Sequence, residues 1–301
     1  MSDIQNFDNL CPVNSDNEGV TKNKVVGGTL YLVATPIGNL ADMSARALKV
    51  LSEVDFIAAE DTRNSHKLLS FFGISKPMVS YFEHNKSQKG EYILSRLKQG
   101  ESCALVTDAG TPAISDPGED IVRLCAENGV PVTSVPGCCA AITALALSAL
   151  PTGKFTFEGF LVGSKSEKRA RLEELALEKR TLIMYEAPHR LLETLSVMLE
   201  IFGDRKITLC RELTKLNEEI IRTTLKGALE HYKSASPRGE YVLVIDKAPD
   251  DFSKAFWKEM SVEEHVNYYV KLGNEKMSAI KLAAKDRGVG KNAIYKELID
   301  K

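Results

Sequence analysis

The most constraining stretch of this chain is residues 104–118, Ala-Leu-Val-Thr-Asp-Ala-Gly-Thr-Pro-Ala-Ile-Ser-Asp-Pro-Gly. It opens with Ala104, Leu105 and Val106, a short apolar run that reads as a buried strand. The next twelve residues hold two Gly, two Pro, two Asp, two Thr and a Ser. This is loop chemistry: Gly permits unusual backbone angles, Pro fixes them, and Asp, Ser and Thr bond nearby backbone. Apolar residues resume at helical spacing with Ile121, Val122, Leu124 and Cys125. The stretch therefore predicts a strand, a long stiff loop and a helix. In an open α/β sheet, such a loop at the C-terminal end of a strand is where ligands bind. The alternative is a loop that only turns the chain, although a plain connection needs just about 2–6 residues.

The flanking sequence repeats this plan. Residues 29–34 read as a first strand, 35–40 as a tight loop, and a helix follows from about Met43, with Ala47, Val50, Leu51 and Val54 on one face. A second strand at 56–59 ends in Glu60-Asp61-Thr62-Arg63. These are either site acids with an Arg or a helix N-cap with a surface ion pair. A helix at 65–73, a strand at 78–81 and a helix at 90–98 precede the central strand; a helix at 119–127 and a strand at 130–135 follow it. Residues 138–150 form a small-residue helix whose first turn, 138–141, falls where a ligand would lie. Strands alternating with helices specify an α/β fold. Neither GxGxxG nor GxxxxGK[ST] occurs, so ordinary NAD or ATP binding is not supported.

Pro151-Thr152-Gly153 marks a domain boundary, and strands follow at 155–161, 181–185, 207–210 and 239–245. This half has fewer intervening helices, which predicts a mixed sheet. Residues 163–180 carry six Lys or Arg and four Glu, with Lys165, Lys168, Arg169 and Arg171 clustered first. They read either as a solvated helix face or as an edge that contacts phosphates. Polar residues close two strands here: Glu186, His189 and Arg190 after one, Arg211, Glu212 and Lys215 after the other. Residues 246–256 read as a linker. Helices fit 262–272, 275–286 and 291–299, with Ser261 and Glu264 as a capping box. The Arg287-Gly288-Val289-Gly290 turn makes this tail similar to a helix-turn-helix, which can contact nucleic acid or serve as a packing module. The expected domains are a disordered tail at 1–26, α/β domains at 27–150 and 151–248, and a helical module at 253–301.

Composition narrows the classes. The chain has 301 residues, 44% of them hydrophobic and 27% charged, with net charge −2. That excludes a wholesale polybasic protein, though not a local basic face. None of the six Cys forms a CxxC pair and no Cys/His spacing suggests zinc, so no metal is expected and free thiols in a reducing cytosol are. No apolar stretch approaches the roughly 18 residues of a membrane span. The N-terminus lacks a charged-then-apolar signal layout, so a cytoplasmic location is expected.

Six motifs occur in order: residues 32–40 (LVATPIGNL), 59–63 (AEDTR), 107–118 (TDAGTPAISDPG), 136–141 (PGCCAA), 185–190 (YEAPHR) and 211–215 (RELTK). With these motifs the chain resembles the tetrapyrrole methylase family, and most closely its branch that acts on ribosomal RNA. The resemblance covers about residues 28–248. The long N-terminal tail and the Cys138-Cys139 pair depart from the usual pattern. The resemblance implies two α/β domains with S-adenosylmethionine in the cleft between them and a homodimer. It also implies 2′-O-methylation of a cytidine ribose in the decoding centre of small-subunit rRNA, within the assembled small ribosomal subunit. Expected cofactor contacts are Pro36, Asp108, Gly110, Thr111, Ile114, Cys138, Cys139, Ala140 and Tyr185, where backbone groups freed at strand ends are available. Glu60 and Glu186 are the expected proton acceptors. Arg63, Arg190 and Arg211 are expected to hold RNA backbone or those carboxylates, and Lys165, Lys168, Arg169 and Arg171 to contact RNA. A precorrin methyltransferase and a DNA-binding regulator are the competing readings.

Overall fold

The computed structural model describes residues 24–233, 235–249, 257, 260–271 and 273–299. The tail expected at 1–26 lies outside the described residues up to residue 23, as do 250–256 of the linker. The described chain forms two compact units. One comprises Met1–Leu147, Cys210–Ile220 and Gly239–Val242; the other comprises Ser148–Leu209, Ile221–Arg238 and Leu243–Lys301.

The first sheet holds β1 (Leu30–Val33), β2 (Phe56–Ala59), β3 (Met78–Ser80), β4 (Cys103–Val106) and β5 (Val132–Val135). Their order is β3-β2-β4-β1-β5, and every neighbouring pair is parallel. The connecting helices are α1 (Ala45–Glu53), α2 (Thr62–Phe71), α3 (Lys86–Lys98), α4 (Glu119–Glu127) and α5 (Ala140–Leu147). β2 and β4 are buried at every position, as strands covered on both faces must be. Successive side chains go to opposite cores. Val33, Ile57, Ala59, Ala104 and Val106 pack with Ala47, Val50 and Leu51 of α1 and Leu69 of α2. Leu30, Phe56, Ala58, Cys103 and Leu105 pack with Ile93, Leu94 and Leu97 of α3 and Ile121 and Cys125 of α4. Each large apolar side chain so buried stabilises the fold by roughly 1.5–3 kcal/mol.

This layering creates the crevice. The chain steps outward from β1 through β2 to β3 with α1 and α2 on one face, then returns to insert β4 between β2 and β1, with α3 and α4 on the other face. The loop after β4 therefore leaves towards one face while the loops of both its neighbours leave towards the opposite face. Such a switch point opens a gap beyond the C-terminal strand ends.

The second sheet has β6 (Phe155–Phe160), β7 (Thr181–Glu186), β8 (Lys206–Arg211), β9 (Glu219–Thr224) and β10 (Tyr241–Ile245), in the order β6-β7-β10-β8-β9. β6 and β7 are parallel. Glu212 N donates to Glu240 O and Asp246 N to Lys206 O, so β8 and β10 run antiparallel and the sheet is mixed. Its helices are α6 (Lys165–Leu175), α7 (Pro188–Phe202) and α8 (Leu225–His231). The sequence reading missed α7, α8 and β9. Pro188 occupies the first turn of α7, where proline's missing N–H is harmless. α2 starts at Thr62 rather than 65 because Asp61 caps it, accepting from Arg63 N at 2.8 Å.

The C-terminal helices are α9 (Val262–Lys271), α10 (Lys276–Arg287) and α11 (Lys291–Ile299). The Ser261–Glu264 capping box is present, with Glu264 N donating to Ser261 Oγ at 3.2 Å and Ser261 N to Glu264 Oε2 at 2.8 Å. Val262, Val266, Tyr269, Ala279, Ile280, Ala283, Ala284 and Ile294 form its core. Gly288 adopts φ 66°, the left-handed conformation that ends α10 and lets α11 begin three residues later.

Candidate cofactor site at the strand ends

Three strand-end loops of the first sheet are joined by hydrogen bonds. Thr35 N donates to Gly110 O at 2.9 Å and Gly110 N to Thr35 O at 3.0 Å, a two-residue bridge between the loops after β1 and β4. The buried Thr35 hydroxyl adds a bond to Thr107 O at 3.1 Å. Thr111 Oγ1 donates to Cys138 O at 2.9 Å, which ties in the loop after β5. Pro36, Asp108, Gly110, Thr111 and Cys138 are thus brought together, with Cys139 and Ala140 opening α5. Ile114 projects from the same loop and is exposed.

The backbone of the long loop is held in costly conformations. Ala113 (φ 67°) and Ser115 (φ 63°) both lie in the left-handed region, as does Gly110 (φ 90°). Each non-glycine residue there costs about 1–2 kcal/mol. A Cβ on Gly110 would sit 3.4 Å from Ile37 Cγ2 and 3.8 Å from Cys138 O, so its absence leaves a hollow between those two loops. That space, bounded by the Ile37 side chain and the Cys138 carbonyl, lets a ligand approach the Gly110 main chain closely.

On the other flank of β4 the site is acidic. The Thr107 hydroxyl donates to Glu60 Oε2 at 2.9 Å, and Asn64 Nδ2 donates to Asp108 Oδ2 at 2.9 Å. Asp116 lies against the same hydroxyl. Burial first, then the negative charge of Glu60, pushes its carboxyl up to about 6; the Thr107 hydrogen bond opposes this and Asp108 adds to it. Asp116, Thr107 and Asn64 were not singled out from the sequence, which carries no signal for contacts between residues so far apart in the chain. Arg63 makes no hydrogen bond to this group, although it feels the Asp108 charge. Its guanidinium holds Asp61 at 2.7 Å and keeps that carboxyl down at about 2.

The segment after β8 belongs to the same unit. A Cβ on Gly38 would strike the Lys215 side chain and come within 2.9 Å of Thr214 Oγ1, so glycine is what lets the β1 loop and the 211–218 loop touch. Lys215 Nζ bonds Glu212 at 3.0 Å and Glu240 at 2.8 Å, and Arg211 pairs with Glu219 at 2.9 Å. Leu216 is 99% exposed at the tip of this loop.

The family described as Tetrapyrrole (Corrin/Porphyrin) Methylases matches residues 29–229. The chain belongs to the tetrapyrrole methylase family. Within it, the chain is 48% identical over 270 residues to the Ribosomal RNA small subunit methyltransferase I of Halalkalibacterium halodurans, covering 89% of this chain and 93% of that protein. It is 47% identical over 271 residues to the protein of the same name in Bacillus subtilis, again 89% and 93%. A crystal structure of Uroporphyrin-III C-methyl transferase from Thermus thermophilus, complexed with S-adenyl homocysteine, shares the methylase fold at 18% identity and TM-score 0.51, covering 73% of this chain and 98% of that one.

In the second unit of this methylase, Tyr185 stands half-buried at the end of β7, edge-on to Phe157 (5.0 Å) and Phe160 (5.4 Å). Glu186, expected as a proton acceptor, is bonded to the start of α7. It is only 4% exposed, and its oxygens accept from Ala187 N (2.8 Å), Arg190 Nε (3.0 Å) and Thr194 Oγ1 (2.5 Å). A carboxylate spent on the first turns of α7 is a structural anchor, not an open proton acceptor, and it occupies Arg190 as well.

The basic run on α6 is likewise engaged within the fold. Lys165 pairs with Glu193 at 2.7 Å. Arg169 pairs with Glu173 at 3.1 Å and Glu200 at 2.6 Å. Arg171 pairs with Glu158 at 2.7 Å and Glu174 at 2.6 Å. Five glutamates therefore pair with three of the four bases, Lys168 being the exception, and most of the charge on this helix face is compensated within the fold. No group of three or more metal-ligating side chains occurs among the described residues, and no helix among them is long and apolar enough to cross a membrane.

Proposed function

We propose that this protein transfers a methyl group from S-adenosylmethionine to the ribose 2′-hydroxyl of a cytidine in the decoding centre of small-subunit rRNA. The observation that carries this reading is the near-half identity, over nearly the whole length, to proteins named Ribosomal RNA small subunit methyltransferase I. The backbone hollow at Gly110, between Ile37 and Cys138, fits a cofactor recognised through main-chain groups. Asp108, Thr111, Ile114, Cys139 and Ala140 are proposed to complete that contact. The bound cofactor supplies an already activated methyl on a sulfonium.

The protein's own part is alignment and proton removal. As the methyl–sulfur bond breaks and the methyl–oxygen bond forms, the 2′-hydroxyl must lose its proton. We assign that proton to the Glu60–Asp116 pair across Thr107. Burial and the neighbouring Glu60 charge weaken the acidity of Asp116, so its ionised carboxylate holds an arriving proton more firmly than an exposed one would. Arg63, Lys215 and Arg211 then act by holding neighbouring carboxylates. The working enzyme is proposed to be a cytoplasmic homodimer acting on assembled small subunits.

Methyl transfer from labelled S-adenosylmethionine to unmethylated small subunits, naked rRNA, precorrin and duplex DNA tests this directly. Label in a cytidine ribose of the small subunit is the expected result. Label in precorrin alone would replace the rRNA reading with a corrinoid one.

A further inference from the structure

The charge run on α6 is balanced, but a second basic surface is not. Across α10 and α11 the chain places Lys276, Lys281, Lys285, Lys291 and Lys296, all on the outside of the module. None of these five has an ion-pair partner among the described residues. The neighbouring charges are accounted for within the fold. Arg287 donates to Met260 O at 2.6 Å and to His265 Nδ1 at 3.1 Å, while Asp286 accepts from the Tyr269 hydroxyl. Glu297 lines the opposite side of α11, beside Trp257 and Ala293.

The helical pattern puts Lys281 and Lys285 of α10 and Lys296 of α11 on the solvent sides of their helices. α10 buries Ala279, Ile280, Ala283 and Ala284, so Lys281 and Lys285 lie on its far side. α11 buries Ile294, which leaves Asn292 and Lys296 directed away from the core and Tyr295 flanking them. Tyr295 is 51% exposed and Met277 53% exposed, so flat and flexible apolar groups interrupt the lysines. Lysines neutralise phosphates, and exposed aromatic rings stack on unpaired bases; interleaving the two is how proteins hold single-stranded RNA.

We propose that the α10–α11 surface of the C-terminal module is an rRNA-docking face, with Lys281, Lys285, Lys291 and Lys296 on phosphates and Tyr295 stacked on an unpaired base. The proposal rests on the rRNA-methylation reading and names the surface that delivers that substrate. It also moves the substrate-binding charge from α6, where glutamates pair with Lys165, Arg169 and Arg171, to the tail, where no described carboxylate pairs with the lysines.

The test uses the full chain and small ribosomal subunits that lack the methyl group. Binding is measured across a range of KCl for the parent, for a variant with Lys281, Lys285, Lys291 and Lys296 all changed to Glu, and for Tyr295→Ala. S-adenosylhomocysteine affinity and the thermal melt are followed in parallel. The log–log salt slope should fall by about 0.7 for each phosphate left without its lysine. Tyr295→Ala should weaken binding with the slope unchanged, and cofactor affinity should stay at the parent value in both variants. If the four-lysine variant fails to fold, the corresponding Gln variant is measured instead. An unchanged slope in a folded variant overturns the proposal. So does a slope that changes only for duplex DNA. A parent that binds subunits through these lysines but never methylates them sinks the methylation reading and leaves the docking face standing.

Discussion

Glu60 and Asp116 flank one hydroxyl, that of Thr107, which donates to Glu60 Oε2 at 2.9 Å at the junction of β2 and β4. Burial and the Glu60 charge push the Asp116 carboxyl up to about 6. If this pair takes the ribose proton, the rate of methyl transfer should rise with pH and level off above about 6. Asp116→Asn and Glu60→Gln should each lower the rate by about 10²–10⁴-fold with S-adenosylhomocysteine affinity nearly intact. Near-parent rates in both variants would leave positioning alone as the mechanism.

The same residue makes a stability prediction. A carboxyl raised above its unfolded value near 3.8 favours the folded state fully below pH about 4, and this contribution is lost as pH rises through about 6. Asp116→Asn should therefore melt higher than the parent at pH 7 and lose that advantage at pH 4. Melting curves at both pH values decide it, and parallel curves would show that the carboxyl is not strained.

At Gly110 the expected effect is on the cofactor. Gly110→Val fills the hollow beside Ile37 and Cys138 and strains a backbone held at φ 90°. S-adenosylhomocysteine binding, read by calorimetry, should be abolished in Gly110→Val and weakened in Gly110→Ala. Parent-like affinity in a folded Gly110→Val protein would remove this loop from the cofactor site.

Glu186→Gln should behave as a stability variant. Its carboxylate is buried and accepts from Ala187, Arg190 and Thr194. Disturbing such a group costs about 1–3 kcal/mol. A lower denaturation midpoint with a parent-like rate below that midpoint is the expected pair of results. An abolished rate at unchanged stability would restore Glu186 to the catalytic set.

Gly38→Ala should loosen the contact between the β1 loop and the 211–218 loop, because the new methyl meets Lys215 and Thr214. The cost of such overpacking is about 1–3 kcal/mol. Removing the obstacle as well, in Gly38→Ala with Lys215→Ala, should cost less than the sum of the two single losses in a double-mutant cycle. Simple additivity would mean that the two loops do not press on each other.

The sequence revealed most where local chemistry and burial agree. β2 (Phe56–Ala59) and α4 (Glu119–Glu127) match their expected bounds, since one is a continuous apolar run and the other begins after a Pro-Gly stop. The apolar face of α1 was legible for the same reason: Ala47, Val50 and Leu51 are buried as their spacing requires. α7 was missed because Pro188 opens a helix in a place where it also suits a turn. At the site, the loops could be read but their partners could not. Nothing local in Glu60 tells that Thr107 bonds it, and nothing local in Lys165, Arg169 or Arg171 tells that Glu193, Glu200 and Glu158 wait on other elements.

The reciprocal bonds between Thr35 and Gly110 make the long loop a short extension of the sheet rather than a flap upon it. The bridge fixes the loop at Gly110 with no ligand bound. A molecule that binds there loses no affinity to freezing a mobile segment, and its on-rate is not gated by loop closure. The amides of Thr35 and Gly110 should accordingly exchange with solvent deuterium as slowly as those of the strands they join, in the absence of any ligand.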